Sequence, residues 1–268
     1  SLNSRNPFSL NRAPSQTRFF SGNVSGPIVK GKASFFVDVN NRDVDNNTVV
    51  NAVILDPALN PVNFREEFQV PNRRFSISPR FDYAINDNNT LVARYSFSKG
   101  STDNQGVGNL NLPSRAFVSD NSDHEVRLTE TMIINPTTVN ETRFEIDWEN
   151  NSRTGDNTIP GINVSEAFSG GGATIGESFS KELQWELQNY TTTSLGKSNE
   201  HSLKFGARVR SLNLTDRSEN GFGGSFSFVG APEIRIPSGC DLSDPGCTIV
   251  EPAIGPLDQY RSRILGLN

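Results

Sequence analysis

The side chains able to do chemistry in this chain are charged groups that recur at every second position. Arg74, Arg80 and Asp82 alternate with Phe75, Ile77, Phe81 and Tyr83. Arg94 lies in a stretch whose odd positions are Leu91, Ala93, Tyr95 and Phe97. Glu141, Arg143, Glu145 and Asp147 alternate with Thr142, Phe144, Ile146 and Trp148. Gln184, Glu186 and Gln188 oppose Leu183, Trp185 and Leu187, and Lys204, Arg208 and Arg210 oppose Leu203, Phe205, Ala207 and Val209. Arg127 falls in a less regular stretch of the same kind. Successive side chains of a strand point to opposite faces. These spacings therefore predict strands with one charged face and one apolar face. The chemistry open to the charged face is electrostatic: cross-strand ion pairs that fix register, or contacts to a charged ligand or domain. Its mixed signs argue against a simple anion or cation filter.

Other chemistry-bearing residues point nowhere stronger. Cys240 and Cys247 enclose a Pro-Gly turn, and their spacing predicts a disulfide in an oxidising compartment. Asp241 and Asp244 beside them lack the rest of a calcium-loop signature. The glycines at 170–172 lack the Lys-Ser/Thr that follows in a phosphate loop. The two histidines, His124 and His201, are expected at strand starts and in no metal site. No Ser/His/Asp set stands in a plausible context. The expectation is a protein that is not an enzyme, with no cofactor and no metal. A net charge of -5 and a pI near 5.2 argue against nucleic acid as a partner.

The elements that would carry these side chains form a rhythm of hairpins. Alternating segments pair at 17–26 with 33–42, 74–85 with 90–99, 122–133 with 138–149, and 180–192 with 200–212, and a ninth strand is expected near 223–229. The joins at 27–32, 86–89, 134–137 and 194–199 hold Asn, Asp, Gly and Pro, which turns demand. The other connections, 43–73, 100–121, 150–179, 213–222 and the segment after 230, are long and polar and are expected to be loops. Glu130 shares the phase of Val126 and Leu128, which predicts a bulge or a strand end there.

Low hydrophobicity does not oppose a membrane reading. Mean hydropathy is -0.48 and no run of about 18 apolar residues exists, so a helical membrane protein is excluded. A transmembrane barrel needs only alternate residues apolar, and it combines short turns at one rim with long loops at the other. Strands of 10–13 residues also exceed the usual length of about 5–6. The predicted fold is all-β: an antiparallel up-and-down meander forming a partial transmembrane β-barrel of about nine strands, in the cell outer membrane. Phe75, Ile77, Phe81, Tyr83, Tyr95, Phe97, Phe144, Trp148, Trp185 and Phe205 would face lipid. Arg74, Arg80, Asp82, Arg94, Arg127, Arg143, Glu145, Arg208 and Arg210 would face the lumen. Tyr83, Tyr95 and Trp148 are expected near strand ends, as an interfacial girdle. The alternatives are a surface adhesin or structural barrel, and a soluble β-sandwich that binds carbohydrate.

Several phrases resemble TonB-dependent receptors, closest to the Oar-like subgroup that carries a carboxypeptidase-regulatory-like domain. Residues 5–8 read RNPF, and residues 18–36 read RFFSGNVSGPIVKGKASFF, similar to the start of the barrel in that subgroup, with Ser21 and Ser25 where it has glycines. SPRFDY at 78–83 with NTLVARYSFS at 89–98, HEVRLTET at 124–131, NPTTVNETRF at 135–144 and FGAR at 205–208 resemble later strands in the family's order. The resemblance covers about residues 1–230. It implies a fragment, 1–268, of one barrel domain, with signal sequence, plug, first strand and remaining strands outside it. It also implies uptake of an unidentified ligand, energised by the TonB complex acting through the absent plug.

Overall fold

A computed structural model describes residues 15–196, 200–232, 234–236, 248–251 and 253–267. The RNPF phrase and the Cys240–Cys247 pair lie outside the described residues.

Eight long strands form one antiparallel sheet: β1 (Gln16–Val29), β2 (Ala33–Leu55), β3 (Pro61–Asn86), β4 (Asn89–Gln105), β5 (Phe117–Asn135), β6 (Thr138–Gly155), and, after two short strands, β9 (Ser178–Leu195) and β10 (His201–Arg217). The order β1-β2-β3-β4-β5-β6-β9-β10 is a meander, with each strand beside its neighbour in sequence among the long strands. The sheet is open, with β1 and β10 at its edges. The short strands β7 (Gly161–Val164), β8 (Phe168–Gly171) and β11 (Ser225–Phe228) form a second sheet, and β12 (Ile234–Ile236) pairs with β13 (Thr248–Glu251). One helix, α1 (Pro256–Ile264), follows. Pro256 opens it, where a missing N–H costs nothing, and Asp258 and Arg263 lie at the ends that suit their charges.

The short turns follow from their residues. Asn86 Oδ1 accepts from the Asn88 amide at 2.9 Å and from Asn89 Nδ2 at 2.8 Å. Asn135 Oδ1 accepts from the Thr137 amide at 3.0 Å and from its hydroxyl at 2.9 Å. Both are Asx turns, in which a side-chain oxygen replaces a backbone acceptor. Gly31 takes φ +71° in the first turn, a conformation that a Cβ would oppose.

The long connections differ from expectation. Segment 43–73 is mostly strand: β2 pairs with β3 without a break from Ala33↔Tyr83 to Leu55↔Pro61, leaving a five-residue connection closed by Asp56. β4, β5, β6 and β10 also run past their expected ends. Beyond the apolar zone the outer halves of β2 and β3 mix polar and apolar residues without strict alternation, as in Thr48-Val49-Val50-Asn51, so the two-residue rhythm that marks a strand disappears although pairing continues. Glu130 sits in an unbroken register, opposite Leu91 and Thr142, and the irregularity falls between Ile133 and Asn135 instead. The ninth strand exists as β11, but it pairs in parallel with β7 and does not extend the main sheet.

The extended ends build a compact cap. Val50, Ala52, Val164, Ala167 and Phe168 are buried together, with Phe64, Phe68, Leu110, Leu112 and Phe228 against them. Tyr260 of α1 meets Phe168 and Phe228 edge-on, at 5.4 and 5.1 Å between ring centroids. Backbone bonds join the parts: the Val53 amide donates to Ala167 O at 3.0 Å, and the Leu112 amide to Ser169 O at 2.8 Å. The Arg115 side chain donates to Gly172 O and to Thr174 Oγ1, and burial lowers its pKa from the ordinary value. Glu219 ties the start of β9 to the end of β10. Its carboxylate accepts the Glu177 amide at 2.8 Å and pairs with Arg217, and these contacts hold it below the ordinary carboxylate value.

Candidate functional site

The candidate site is the charged face of the eight-stranded sheet. Register fixes it. Arg80, Arg94, Arg127, Glu145, Glu186 and Arg210 are successive cross-strand partners on β3, β4, β5, β6, β9 and β10. Asp82, Arg143 and Arg208 occupy the adjoining same-face position on their strands, and Arg74 lies farther along β3. All nine residues expected on the charged face share it. The ten expected on the apolar face share the other, where Phe81, Ala93, Leu128, Phe144, Leu187 and Val209 form one row and Ile77, Phe97, His124, Trp148 and Leu183 another.

The apolar face is uncovered. On β9 the odd residues from Lys181 to Asn189 are exposed while the even ones are half-buried. Phe81 is 37% exposed, Trp148 38% and Phe205 54%. A water-soluble sheet buries its apolar face. Among the described residues, no second layer covers this one.

Ion pairs lace the charged face. Arg80 reaches Asp82 at 2.6 Å, and Arg127 reaches Glu145 at 2.8 Å and Glu125 at 3.2 Å. Arg143 pairs with Glu141 at 3.2 Å and Arg208 with Glu186 at 3.8 Å, while Arg210 donates to Gln184. Such half-exposed pairs are worth about 0.2–1 kcal/mol each, so they set register more than stability. Charge is unevenly divided. Arg42 stands opposite Arg74 and Arg80 opposite Arg94 on β2–β4, whereas Asp123, Glu149 and Glu182 are cross-strand neighbours on β5, β6 and β9. This division was not legible in sequence, because register decides which charges become neighbours. A hollow of about 760 Å³ lies at the long-connection end of the sheet, lined by Ser119, Asn151, Arg153, Ser180 and Asp216 among others.

The histidine and two of the girdle residues sit elsewhere than expected. His124 lies well inside β5, on the apolar face, stacked on Trp148 at 4.9 Å and beside Phe97 at 4.6 Å. The Tyr95 hydroxyl and His124 Nδ1 are 2.8 Å apart, which satisfies both polar groups on an apolar surface. Tyr95 and Trp148 lie mid-strand because their strands outrun the apolar zone, and only Tyr83 is near a strand end. Trp148 still marks the border on β6: the next row in register runs from Phe75 on β3 through Lys99, Ser122 and Asn150 to Lys181.

No curated protein matches the chain. Among solved structures, the outer membrane transporter YddB from Escherichia coli is similar, at 9% identity and a TM-score of 0.51, over 75% of this chain and 32% of that one. The chain thus spans about a third of that transporter's length, and the likeness is one of fold. The family model for the outer membrane beta barrel domain matches residues 47–236. That match takes in most of the charged and apolar rows described above, and the chain belongs to the outer membrane beta barrel domain family and to the outer membrane.

Proposed function

We propose that this sheet is part of the wall of a TonB-dependent transporter, with its apolar face against lipid and its charged face lining the lumen. The observation that carries this reading is the exposed aromatic and aliphatic face, backed by a face of paired charges. Lipid supplies the missing cover for the first face, and water inside a barrel solvates the second. The short turns lie at the periplasmic rim and the capped end lies outside. The phrases that resemble the TonB-dependent receptors support energised uptake of a ligand, a transport role and not a catalytic one. A passive surface barrel is the second reading, favoured by the cap, whose own core presents a fixed surface to the exterior.

Two measurements on the full-length protein test this. Unheated and heated samples should migrate differently on a denaturing gel, as closed barrels do; identical migration overturns the barrel. The periplasmic domain of TonB should be retained by the purified protein. A barrel that shifts on heating and retains no TonB leaves the passive reading standing and removes the transporter.

A further inference from the structure

Phe36, Arg80, Arg94 and Arg127 are consecutive cross-strand neighbours on the charged face of β2, β3, β4 and β5. Directly opposed residues have Cβ atoms about 4.5–5.5 Å apart, and like charges so placed are destabilising. Two of the three arginines are offset. Arg80 has Asp82, and Arg127 has Glu125 and Glu145. Arg94, between them, has no carboxylate partner among the described residues. A cavity of about 480 Å³ opens here, lined by Ser25, Ser34, Phe36, Arg80, Asp82 and Arg94 among others. Phe36 puts a phenyl ring, 38% exposed, in the row of guanidinium groups. A cation held between two others, beside hydroxyls and a phenyl ring on the same face, is what an anion with an apolar body would need. Guanidinium groups match oxyanions in a planar, two-bonded geometry. The carboxylate-rich strands β6 and β9 would repel the same anion and confine it to β2–β4.

We propose that Arg94, flanked by Arg80 and Arg127, is an oxyanion-binding site on the lumen wall. It takes a carboxylate or phosphate group whose apolar body rests on Phe36. This rests on reading the charged face as lumen. The oxyanion has two sources: a dissolved ligand, or an acidic side chain of another domain of the same protein.

The test uses full-length protein in detergent, as wild type, Arg94→Gln and Arg94→Lys. Benzoate and inorganic phosphate are the probes, titrated calorimetrically at low salt, and thermal unfolding is measured without probe. For a dissolved ligand, wild type binds benzoate more tightly than phosphate. Arg94→Gln then weakens binding at least tenfold, Arg94→Lys retains part of it, and salt weakens it. For an internal carboxylate, no probe binds, Arg94→Gln lowers the unfolding midpoint by about 2–4 °C, and Arg94→Lys restores most of it. The proposal is overturned if Arg94→Gln binds the probes as wild type does. It is also overturned if no probe binds and Arg94→Gln unfolds at the same or a higher temperature, as simple relief of repulsion requires. Heat-modifiable migration of the same samples separates the two ideas. Its absence overturns the lumen itself, and its presence leaves the anion site to stand or fall alone.

Discussion

Replacing Ile146 by arginine puts the proposed lipid-facing surface to its sharpest test. Ile146 lies between Val126 and Trp185 in register, with Phe144 and Trp148 on either side of it along the same face. That places it inside the apolar zone. Arginine on the lipid face of a barrel costs about 2–4 kcal/mol at the bilayer midplane and about 0–1 near the interfaces. At 1.36 kcal/mol per decade, the larger cost is roughly a 30- to 900-fold loss in the folded-to-unfolded ratio. Met132→Arg, on the same face but beside the short-turn end opposite Asn89, should cost about 0–1 kcal/mol. Ser96→Arg, on the charged face opposite Glu125, should change stability by no more than about 0.5 kcal/mol. The assay is urea titration of the full-length protein folded into lipid vesicles, read by heat-modifiable migration. A gradient of cost along one face and indifference on the other is the signature of a bilayer. Equal costs at Ile146 and Met132 would point to a protein core, and equal costs at Ile146 and Ser96 would refute the assignment of faces.

Three further outcomes follow from the same geometry. Phe168→Ala should cost about 3–5 kcal/mol of local stability, because the ring is buried in the cap against Tyr260; limited proteolysis should cut the cap while the barrel still shifts on heating. Tyr95→Phe should cost about 1–3 kcal/mol in the vesicle titration by leaving His124 Nδ1 unpartnered on an apolar face, and adding His124→Phe should recover most of that loss. The Glu219 tie should depend on pH, since its carboxyl titrates below its ordinary value of 4.5. A depressed folded value means that the contribution is fully present above the unfolded pKa and is lost as pH falls through the folded one. Exchange of the Glu177 amide should therefore accelerate below about pH 4.5, relative to the Thr137 amide of a short turn, and Glu219→Gln should abolish the difference.

Alternation along the chain assigns a face to the side chains of β3, β4, β6, β9 and β10 within the apolar zone. Wherever one face meets lipid and the other meets water, selection writes a two-residue rhythm into the strand, and a slip of one residue would invert it. Phe75, Ile77 and Phe81 against Arg74, Arg80 and Asp82 is that rhythm, and the register upholds it. The Asn-rich short turns were legible for a similar reason, because their chemistry is local. Tertiary structure alone decided the rest. The outer halves of β2 and β3 carry no rhythm, since water or cap surrounds both faces, so strands looked like loops. The cap core draws on residues from Val50 to Tyr260, and no local pattern announces contacts over such separations. The neighbours of each charge also depend on register across several strands. That register sets Arg94 between Arg80 and Arg127, and it brings the Tyr95 hydroxyl to His124. Alternation along one strand fixes a side, but only pairing between strands fixes a neighbour.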